Sequence, residues 1–257
     1  CTEEVHPENA ALAVRAAELL GLDIAGIDMT CKDIAEPLTP DNGAIIEVNA
    51  APGLRMHLCP SEGKPHNVAG DILDYLYPGG ARASIPIVSI TGTNGKTTVT
   101  RMIANTLAMS GKKVGMTDTS GVYIDGRCVL KGDNTGALSA AMVLRNRSID
   151  AAVLETARGG IVRRGLGYDL ADVGVIVNIS GDHLGLNGIN TLEELADVKS
   201  LVAEAVKPDG CAVLNAEDKM TPFIMERLRG KMLLFSADYG NSLLSRHIFA
   251  GWLDLFI

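Results

Sequence analysis

The chain has 257 residues, enough for one or two domains at roughly 150 residues per domain. Apolar residues make up 47% of it and charged residues 21%, which excludes a disordered, collagen-like or coiled-coil protein. The net charge is −8 and no cluster of Lys and Arg stands out, so no nucleic-acid partner is expected. No apolar stretch approaches the roughly 18–20 residues of a spanning helix, so no membrane partner is expected either.

Five cysteines lie far apart along the chain, at positions 1, 31, 59, 128 and 211. Their number is odd and no two form a CxxC pair, which fits neither a disulfide framework nor a zinc site. We therefore expect reduced thiols in a cytoplasmic protein. The sequence opens at Cys1, without an initiator Met or a signal-like apolar segment, so we interpret it as a piece of a longer protein.

The first part of the chain predicts two helices and a pair of antiparallel strands. Residues 7–20, PENAALAVRAAELL, carry apolar side chains at helical spacing, with a proline suited to the first turn. Two β-like segments, 24–29 and 44–48, enclose the turn-rich PLTPDNG and are expected to pair with each other. A loop, AAPGLRMH, precedes a second helix over 67–77. The segment 78–85, rich in Gly and other small residues, indicates a domain linker.

After the linker, apolar strands alternate with helices, which predicts an α/β fold with a mostly parallel sheet flanked by helices. Strands are predicted at 85–91, 114–117, 151–155, 173–178 and 211–215, and helices at 97–109, 136–146, 192–206 and 221–229. Asp125 and Gly126, between two short strand candidates, predict an inserted hairpin. Thr191 and Glu194 have capping-box spacing, which fixes the start of one helix. The predicted domain covers 86–236 and follows a smaller α+β part.

The segment SITGTNGKTT, residues 89–98, lies between a predicted strand and a predicted helix. Gly92 and Gly95 allow a tight turn that points backbone N–H groups at phosphate oxygens, and the helix adds its positive N-terminal end. Lys96 would reach the β and γ phosphates of ATP, and the Thr97 hydroxyl would lie on Mg²⁺. The pattern GxxxxGK[ST] is not met, because isoleucine stands five positions before the second glycine. A Gly-Lys turn that only connects the two elements is the alternative.

GTNGKTT, with no glycine at that fifth position, resembles the ATP-binding loop of Mur ligases, which join an amino acid to a carboxylate through an acyl phosphate. The resemblance covers residues 85 to about 236 and implies ATP and Mg²⁺ as cofactors. It assigns the nucleotide to this loop and to a later NAED segment, that is, to Gly92, Thr93, Asn94, Gly95, Lys96, Thr97, Thr98, Asn215 and Asp218. Past residue 235 the sequence stops resembling the family, so we expect a divergent tail over 237–257.

The same resemblance implies catalytic residues after two later strands. LETARGG contains Glu155 and NISGDHLG contains His183, and Mur ligases use such a Glu and His to hold the second Mg²⁺. Lys199 falls where the family carries a carbamylated lysine that steadies the metal. Without the family, the lysine is more simply a solvated helix charge and the histidine a surface or core residue. Glu155 differs, because an acid that ends an apolar strand is costly to bury without a cation or donor.

Three residues shortly after this glutamate form a candidate substrate contact: Arg158, Gly159 and Gly160. A guanidinium and backbone N–H groups at this position could bind an anionic substrate. A plain turn explains the same three residues.

A second set of polar residues lies in the first third of the chain, in GIDM and IIEVNAAPG. Asp28, Glu47 and Asn49 would project from neighbouring strands, and the last two share one face because they are two residues apart. Three oxygen ligands suit Mg²⁺, but a polar face on a half-exposed sheet explains them equally well. EVNAAPG is similar to the closing segment of ATP-grasp ligases, whose Asp, Glu and Asn bind the two Mg²⁺ of ATP. The similarity covers only the end of such a domain, residues 1–77.

An ATP-grasp end followed by a Mur-like domain resembles the cyanophycin synthetase family, which builds polyaspartate with arginine on each side-chain carboxylate. The resemblance implies an ATP-dependent carbon–nitrogen ligase with an aspartate–arginine polymer and free amino acids as substrates, and a homo-oligomer in the full-length enzyme. The parts that would grip ATP at the first site and close the second are not found, so we expect this chain alone to be inactive. The alternatives are a nucleotide-binding module without ligase activity, another Mur-type ligase, and a P-loop NTPase that drives movement.

Overall fold

The computed structural model describes residues 3–80, 84–182, 184–185, 188–249 and 255–256. The chain forms two compact units, Cys1–Ala83 and Ser84–Ile257. Among the described residues, no helix has both the length and the apolar character needed to cross a bilayer. The four cysteines of the described part, Cys31, Cys59, Cys128 and Cys211, are free thiols.

The first unit combines three helices with a two-stranded sheet. Its elements are α1 (Pro7–Leu19), β1 (Gly26–Cys31), β2 (Gly43–Asn49), α2 (Arg55–Leu58), α3 (Val68–Leu76) and a 3₁₀ turn (Pro78–Gly80). β1 and β2 pair antiparallel, as the sequence predicted, and a register shift follows Asp28. The predicted AAPGLRMH loop contains the short helix α2, whose first turn is closed by hydrogen bonds to the Leu54 carbonyl.

The first unit has a thin core. Asn9 is the single fully buried side chain among its described residues, 3–80. The Asn9 Nδ2 donates to the carbonyls of Ile34 and Glu36, and its Oδ1 accepts the Leu38 N–H at 2.8 Å. These bonds attach α1 to the connection between β1 and β2. Half-buried contacts and this polar clamp therefore hold the unit together.

The second unit is built on a nine-stranded sheet. Its elements are β3 (Ile87–Thr91), α4 (Lys96–Met109), β4 (Val114–Thr117), β5 (Gly121–Ile124), β6 (Arg127–Lys131), α5 (Ala137–Leu144), β7 (Ala151–Glu155), α6 (Arg158–Arg164), β8 (Ala171–Ile176), α7 (Leu192–Glu204), β9 (Val206–Asn215), α8 (Thr221–Met225), β10 (Lys231–Ser236), α9 (Ser242–Phe249) and β11 (Leu255–Phe256). The strand order is β11-β10-β9-β8-β3-β7-β4-β5-β6. The β4–β5 and β5–β6 pairs are antiparallel and the other neighbours are parallel, which confirms the predicted α/β class with a mostly parallel sheet.

The continuous apolar strands of the sequence form the centre of this sheet. All five residues of β7 are buried, because β3 and β4 pair with its two edges and helices cover both faces. On one face Ile90, Val153 and Val175 pack against α4, and on the other Leu154 packs with Val143 of α5. The carboxyl ends of the central strands are thereby held at one edge of a rigid sheet.

Several predicted boundaries differ from the structure. β9 begins at Val206 instead of 211, because it pairs with β8 through an irregular register that tolerates Pro208 and Gly210. α8 ends at Met225 instead of 229, because the amides of Arg227 and Leu228 bond three residues back and the chain leaves the helix. Strand β10 and helix α9 were not predicted. Each contains apolar residues between polar ones, but short elements are defined by packing more than by periodicity.

The segment expected to be a divergent tail begins with a packed helix. Asn241 caps α9 by accepting the N–H groups of Leu243 and Leu244, and the Leu244 side chain is fully buried in the core. The capping box predicted for α7 is present, with Thr191 and Glu194 each accepting the other's backbone N–H. Of these two helices, α7 supplies residues to the cleft described below.

Candidate functional site

A cleft opens at the carboxyl ends of β3, β4, β7 and β8, where parallel sheets place their ligands. Its volume is about 200 Å³. It is lined by Gly92, Thr93, Lys96, Thr119, Asp133, Thr135, Glu155, Ala157, Arg158, Gly159, Asp182, Leu195 and Lys199. Sequence analysis had singled out seven of these residues: Gly92, Thr93, Lys96, Glu155, Arg158, Gly159 and Lys199. The fold therefore brings together residues that are far apart along the chain.

Two positions in the loop between β3 and α4 require glycine, each for a different structural reason. Gly95, at φ +80°, caps α4 in the left-handed region, where a side chain would be strained. A Cβ on Gly92 would lie 3.1 Å from the Val177 Cβ and 3.2 Å from the Asn178 nitrogen. The loop must therefore lie directly against the segment that follows β8.

Some backbone amides of the loop have no hydrogen-bond acceptor within the described protein, whereas others are hydrogen-bonded to it. The N–H groups of Gly95, Lys96, Thr97 and Thr98 make no hydrogen bond to any described residue. They form the N-terminus of a 14-residue helix, which is a favourable place for an anion such as phosphate. The N–H groups of Thr93 and Asn94, by contrast, both donate to the side chain of Asn178. The amides available to a nucleotide are therefore those that open α4.

Glu155 contributes a buried carboxylate at the end of β7. Its side chain is 2% exposed, and its Oε2 accepts the Thr97 hydroxyl at 2.8 Å. The Thr97 hydroxyl also lies 3.3 Å from that of Thr119. The Glu155 Oε1 has no hydrogen-bond partner among the described residues. Burial raises the pKa of this carboxyl group, while Thr97 and Lys96 oppose the shift.

Two lysines approach the loop from opposite sides. The Lys96 Nζ folds back and donates to the Thr93 carbonyl at 3.0 Å. Lys199 of α7 is 3% exposed, and its Nζ donates to the Gly92 carbonyl. Burial, together with the positive charges of Lys96 and Arg158, lowers the pKa of Lys199 to about 7. Lys199 is therefore not the solvated helix charge that the sequence allowed as an alternative.

The residues of the candidate substrate contact form the first turn of the helix α6. Arg158 and Gly159 line the cleft, whereas Gly160 does not. A Cβ on Gly160 would lie 2.8 Å from the Thr135 carbonyl oxygen and 2.9 Å from the Gly136 Cα. Close packing of α6 against the start of α5 explains this glycine.

The NAED residues lie outside the cleft lining. The Asn215 Nδ2 donates to the Val177 carbonyl at 3.2 Å. The Asp218 carboxylate accepts the N–H groups of Ile179 and Met220. Both side chains thus hold the segment after β8 instead of projecting toward Lys96.

His183 lies outside the described residues. The preceding residue, Asp182, lines the cleft, and its Oδ2 accepts the Asn94 Nδ2 at 3.2 Å. Sequence reasoning missed Thr119, Asp133, Thr135 and Asp182 as lining residues. Polar residues directly after β4 and β8 were a usable signal, because ligands gather at the carboxyl ends of parallel strands.

In the first unit, the structure brings two of the three predicted metal ligands face to face. Asp28 of β1 lies directly opposite Glu47 of β2, and both are exposed. Asn49 lies two residues along and is half-buried, opposite Gly26. Like charges directly opposite each other destabilise a strand pair. Within the part of the chain that the structure describes, no three His, Cys, Asp or Glu side chains cluster as a metal-binding group.

The parallel sheet, the glycine loop and the helix that follows it define the phosphate-loop class of α/β domains. The family model of the Mur ligase middle domain matches residues 90–249. The chain belongs to this family, and the Mur ligase resemblance found in its sequence is confirmed.

Among curated proteins, the chain is 52% identical over 247 residues to a cyanophycin synthetase of Synechocystis sp. and 50% identical over 246 residues to one of Crocosphaera subtropica. Each comparison covers 96% of this chain and 28% of the relative, so the chain spans little more than a quarter of their length. Among solved structures, a UDP-N-acetylmuramoyl-L-alanyl-D-glutamate--2,6-diaminopimelate ligase matches with a TM-score of 0.53 at 24% identity, covering 66% of this chain and 35% of that one. This chain is therefore a cyanophycin synthetase homologue with a Mur ligase middle-domain fold.

Proposed function

We propose that this chain carries the ATP-binding centre of an ATP-dependent amide ligase of the cyanophycin synthetase type. The observation that carries the proposal is the buried, unpartnered Glu155 Oε1 beside the Thr97 hydroxyl, at the N-terminus of α4. A buried carboxylate oxygen without a donor is costly unless a cation meets it. The amides of 95–98 and the Lys96 amine supply the complementary positive charge for phosphates.

These residues fit ATP with Mg²⁺. Thr97 and Glu155 offer hard oxygen ligands on one side of the helix terminus, and His183 is a further ligand implied by the family. Bound Mg²⁺ would neutralise charge on the transferring phosphoryl group. Lys96 would leave the Thr93 carbonyl to bind the β and γ phosphates. The α4 amides would orient these phosphates in line with an acceptor carboxylate held near Arg158 and Gly159.

Lys199 is proposed to carry a carbamate. Its pKa of about 7 leaves a substantial neutral fraction at physiological pH, and only the neutral amine can attack CO₂. The neutral amine nitrogen bonds to the carbon of CO₂ and releases one proton, which leaves an anionic carbamate. Starting from the protonated amine, two protons are released in all, and a buried cation becomes a buried anion. That anion would lie near Lys96 and Arg158, whose positive charges lower the pKa of the amine. Carbamylation would thus remove a repulsion between cations inside the cleft.

For the whole protein, we propose the reactions that the relatives' name indicates. The first unit would be the end of an ATP-grasp domain over 1–77, with Asp28, Glu47 and Asn49 holding Mg²⁺ for aspartate addition. The second unit, 86–236, would serve the addition of arginine to aspartate side chains. A cytoplasmic location, free amino acids and the aspartate–arginine polymer as substrates, and a homo-oligomeric full-length enzyme belong to the same proposal.

The first test removes the positive charge of Lys96 from the phosphate loop. Lys96→Ala is expected to weaken ATP binding at least about tenfold by calorimetry, because it removes the flexible cation nearest the phosphates. Lys112→Ala is the matched control, since this exposed lysine lies beyond the other end of α4. Equal affinity of the Lys96→Ala variant and the parent chain would refute the assignment.

A second experiment separates the candidate reactions. An amide ligase releases phosphate, not pyrophosphate, and does so in response to aspartate or arginine. A nucleotide-binding module releases none, and a motor-type NTPase releases phosphate at a rate that ignores both amino acids. Because the chain alone is expected to be inactive, a phosphate assay on the full-length protein with ATP, Mg²⁺ and each amino acid distinguishes the three.

A third experiment concerns the metal. Glu155→Gln is expected to abolish the gain in ATP affinity that Mg²⁺ provides, while metal-free ATP binding changes by less than about threefold. Calorimetry with Mg²⁺ and with EDTA measures both quantities. Equal losses under the two conditions would point to a damaged fold and against a metal role.

A further inference from the structure

The side chain of Asn178, two residues after β8, is bonded to the phosphate loop in three places. Its Oδ1 accepts the N–H groups of Thr93 at 3.1 Å and Asn94 at 2.9 Å. Its Nδ2 donates to the Asn94 carbonyl at 3.1 Å. The Asn178 carbonyl also accepts the Thr93 N–H at 2.8 Å. A single residue therefore engages three consecutive peptide groups of the loop.

Hydrogen bonds also fix the backbone on both sides of Asn178. The carbonyl of Val177 accepts Asn215 Nδ2, and the N–H of Ile179 donates to the Asp218 carboxylate. One residue further on, the Ser180 N–H donates to the Thr93 hydroxyl at 2.9 Å. Main-chain groups on both sides of Asn178 are thus hydrogen-bonded to residues at or just after the end of β9. These bonds fix the backbone from which the Asn178 side chain reaches the loop.

The start of the loop packs closely against the segment that follows β8. Gly92 approaches Val177 and Asn178 so closely that even a Cβ would require a shift. The Thr93 side chain is buried, while Asn94 is exposed and lies at the turn. At this turn the Asn178 side chain makes three hydrogen bonds to the loop backbone, and the Lys96 amine and the Asp182 carboxylate each make one further bond to Thr93 or Asn94.

We propose that Asn178 is a positioning residue that holds the phosphate loop in its binding conformation before nucleotide arrives. Its side chain accepts the Thr93 and Asn94 amides, which fixes the loop. The amides of 95–98 stay free to bind the phosphates. Asn215 and Asp218 act through it by fixing its flanking backbone. A loop ordered in advance loses less entropy when the ligand binds, so affinity depends on this residue without direct contact. The nucleotide part of this inference rests on the proposed function.

Hydrogen exchange of the ligand-free full chain tests the inference directly. In Asn178→Ala, the Asn94 amide loses the acceptor that the structure gives it, and its exchange is expected to accelerate at least about tenfold. The Thr93 amide keeps the Asn178 carbonyl and is expected to change much less. This difference between neighbouring amides distinguishes a local effect from general loosening of the fold.

Asn241→Ala is the matched control. The Asn241 side chain also accepts two main-chain amides and donates to one carbonyl, in the same unit but outside the cleft. Both variants are expected to lower the melting temperature. Only Asn178→Ala is expected to weaken binding of ADP with Mg²⁺, by about tenfold in calorimetry.

The outcomes separate the two hypotheses. Unchanged exchange of the Asn94 amide in Asn178→Ala, or equal loss of ADP affinity in both variants, overturns the positioning role. If the parent chain binds no nucleotide, the proposed function fails, and the exchange comparison alone supports or overturns the positioning role.

Discussion

Lys199 shows how a single side chain can depend on its surroundings for its chemistry. In the unfolded chain its pKa is near 10.5, and in the fold it is about 7. Between these values the unfolded state binds more protons than the folded state, so folding stability should rise with pH from about 7 to about 10.5. Below pH 7 the amine is protonated in both states, and the cost of burying the charge is fully present.

Lys199→Met should remove this pH dependence. The difference in unfolding free energy, parent minus variant, is expected to increase by about 1.4 kcal/mol per pH unit across the lower part of that window. Urea unfolding in CO₂-depleted buffer at pH 7.5, 8.5 and 9.5 measures it. A difference that stays constant with pH would contradict the depressed pKa.

A second residue-scale prediction concerns Asp118, which is fully buried at the end of β4. Its Oδ2 accepts the Arg101 Nε at 2.7 Å, and its Oδ1 accepts the N–H groups of Ser120 and Gly121. This carboxylate therefore connects α4 to the turn that carries Thr119 to the Thr97 hydroxyl.

Removing Arg101 leaves the Asp118 charge without its ion-pair partner. Arg101→Met is expected to cost about 1–3 kcal/mol of unfolding free energy, and adding Asp118→Asn should cost less than the two single losses combined. Urea denaturation of the two single variants and the double variant forms the cycle. Strictly additive losses would show that the pair is not coupled.

At the scale of elements, α6 is positioned by its contact with the start of α5. Gly160→Ala is expected to cost about 1–3 kcal/mol, because its Cβ would meet backbone atoms of Thr135 and Gly136 that cannot move independently. Gly159→Ala is the matched control. A Cβ on Gly159 would lie nearest the flexible end of the Arg163 side chain. The unfolding free energy of this variant should therefore stay level or rise by up to about 1 kcal/mol. Thermal denaturation of both variants measures the difference. Equal changes in melting temperature would contradict the close packing of α6 against the start of α5.

The elements also differ in how well the sequence predicted them. β4 and β7 have the predicted bounds, because each is a short, mostly apolar run that the sheet buries. The start of α7 was predicted because Thr191 and Glu194 act within a single turn. The ends of α8 and β9 were not, since they depend on pairing and packing with segments distant in sequence.

At the scale of the whole molecule, the two units differ in their cores. The buried apolar side chains of the described chain all lie in the second unit, beginning at Ile90. We therefore expect two thermal transitions in calorimetry, the lower one belonging to residues 3–80. Hydrogen exchange near the lower transition should show those residues opening first. A single transition, with both units exchanging together, would contradict this.

Limited proteolysis tests the predicted linker. Cleavage under native conditions is expected between Pro78 and Ser84, because glycine and other small residues there form no core of their own. Mass spectrometry of the early products locates the cut. Protection of this segment, with first cleavage elsewhere, would mean that the two units behave as one.

By itself, the sequence determined the chemistry that depends on neighbours along the chain. Strand, glycine loop and helix follow one another in GTNGKTT, so the phosphate loop was readable, as were the β1–β2 hairpin and the family. The tertiary structure alone decided which distant residues meet there. It buried Lys199 against the Gly92 carbonyl, directed Asn215 and Asp218 to the backbone after β8, and joined Asn178 to the loop. The physical reason is that hydrogen bonds and burial depend on distance in space, which a local pattern of residue types does not contain.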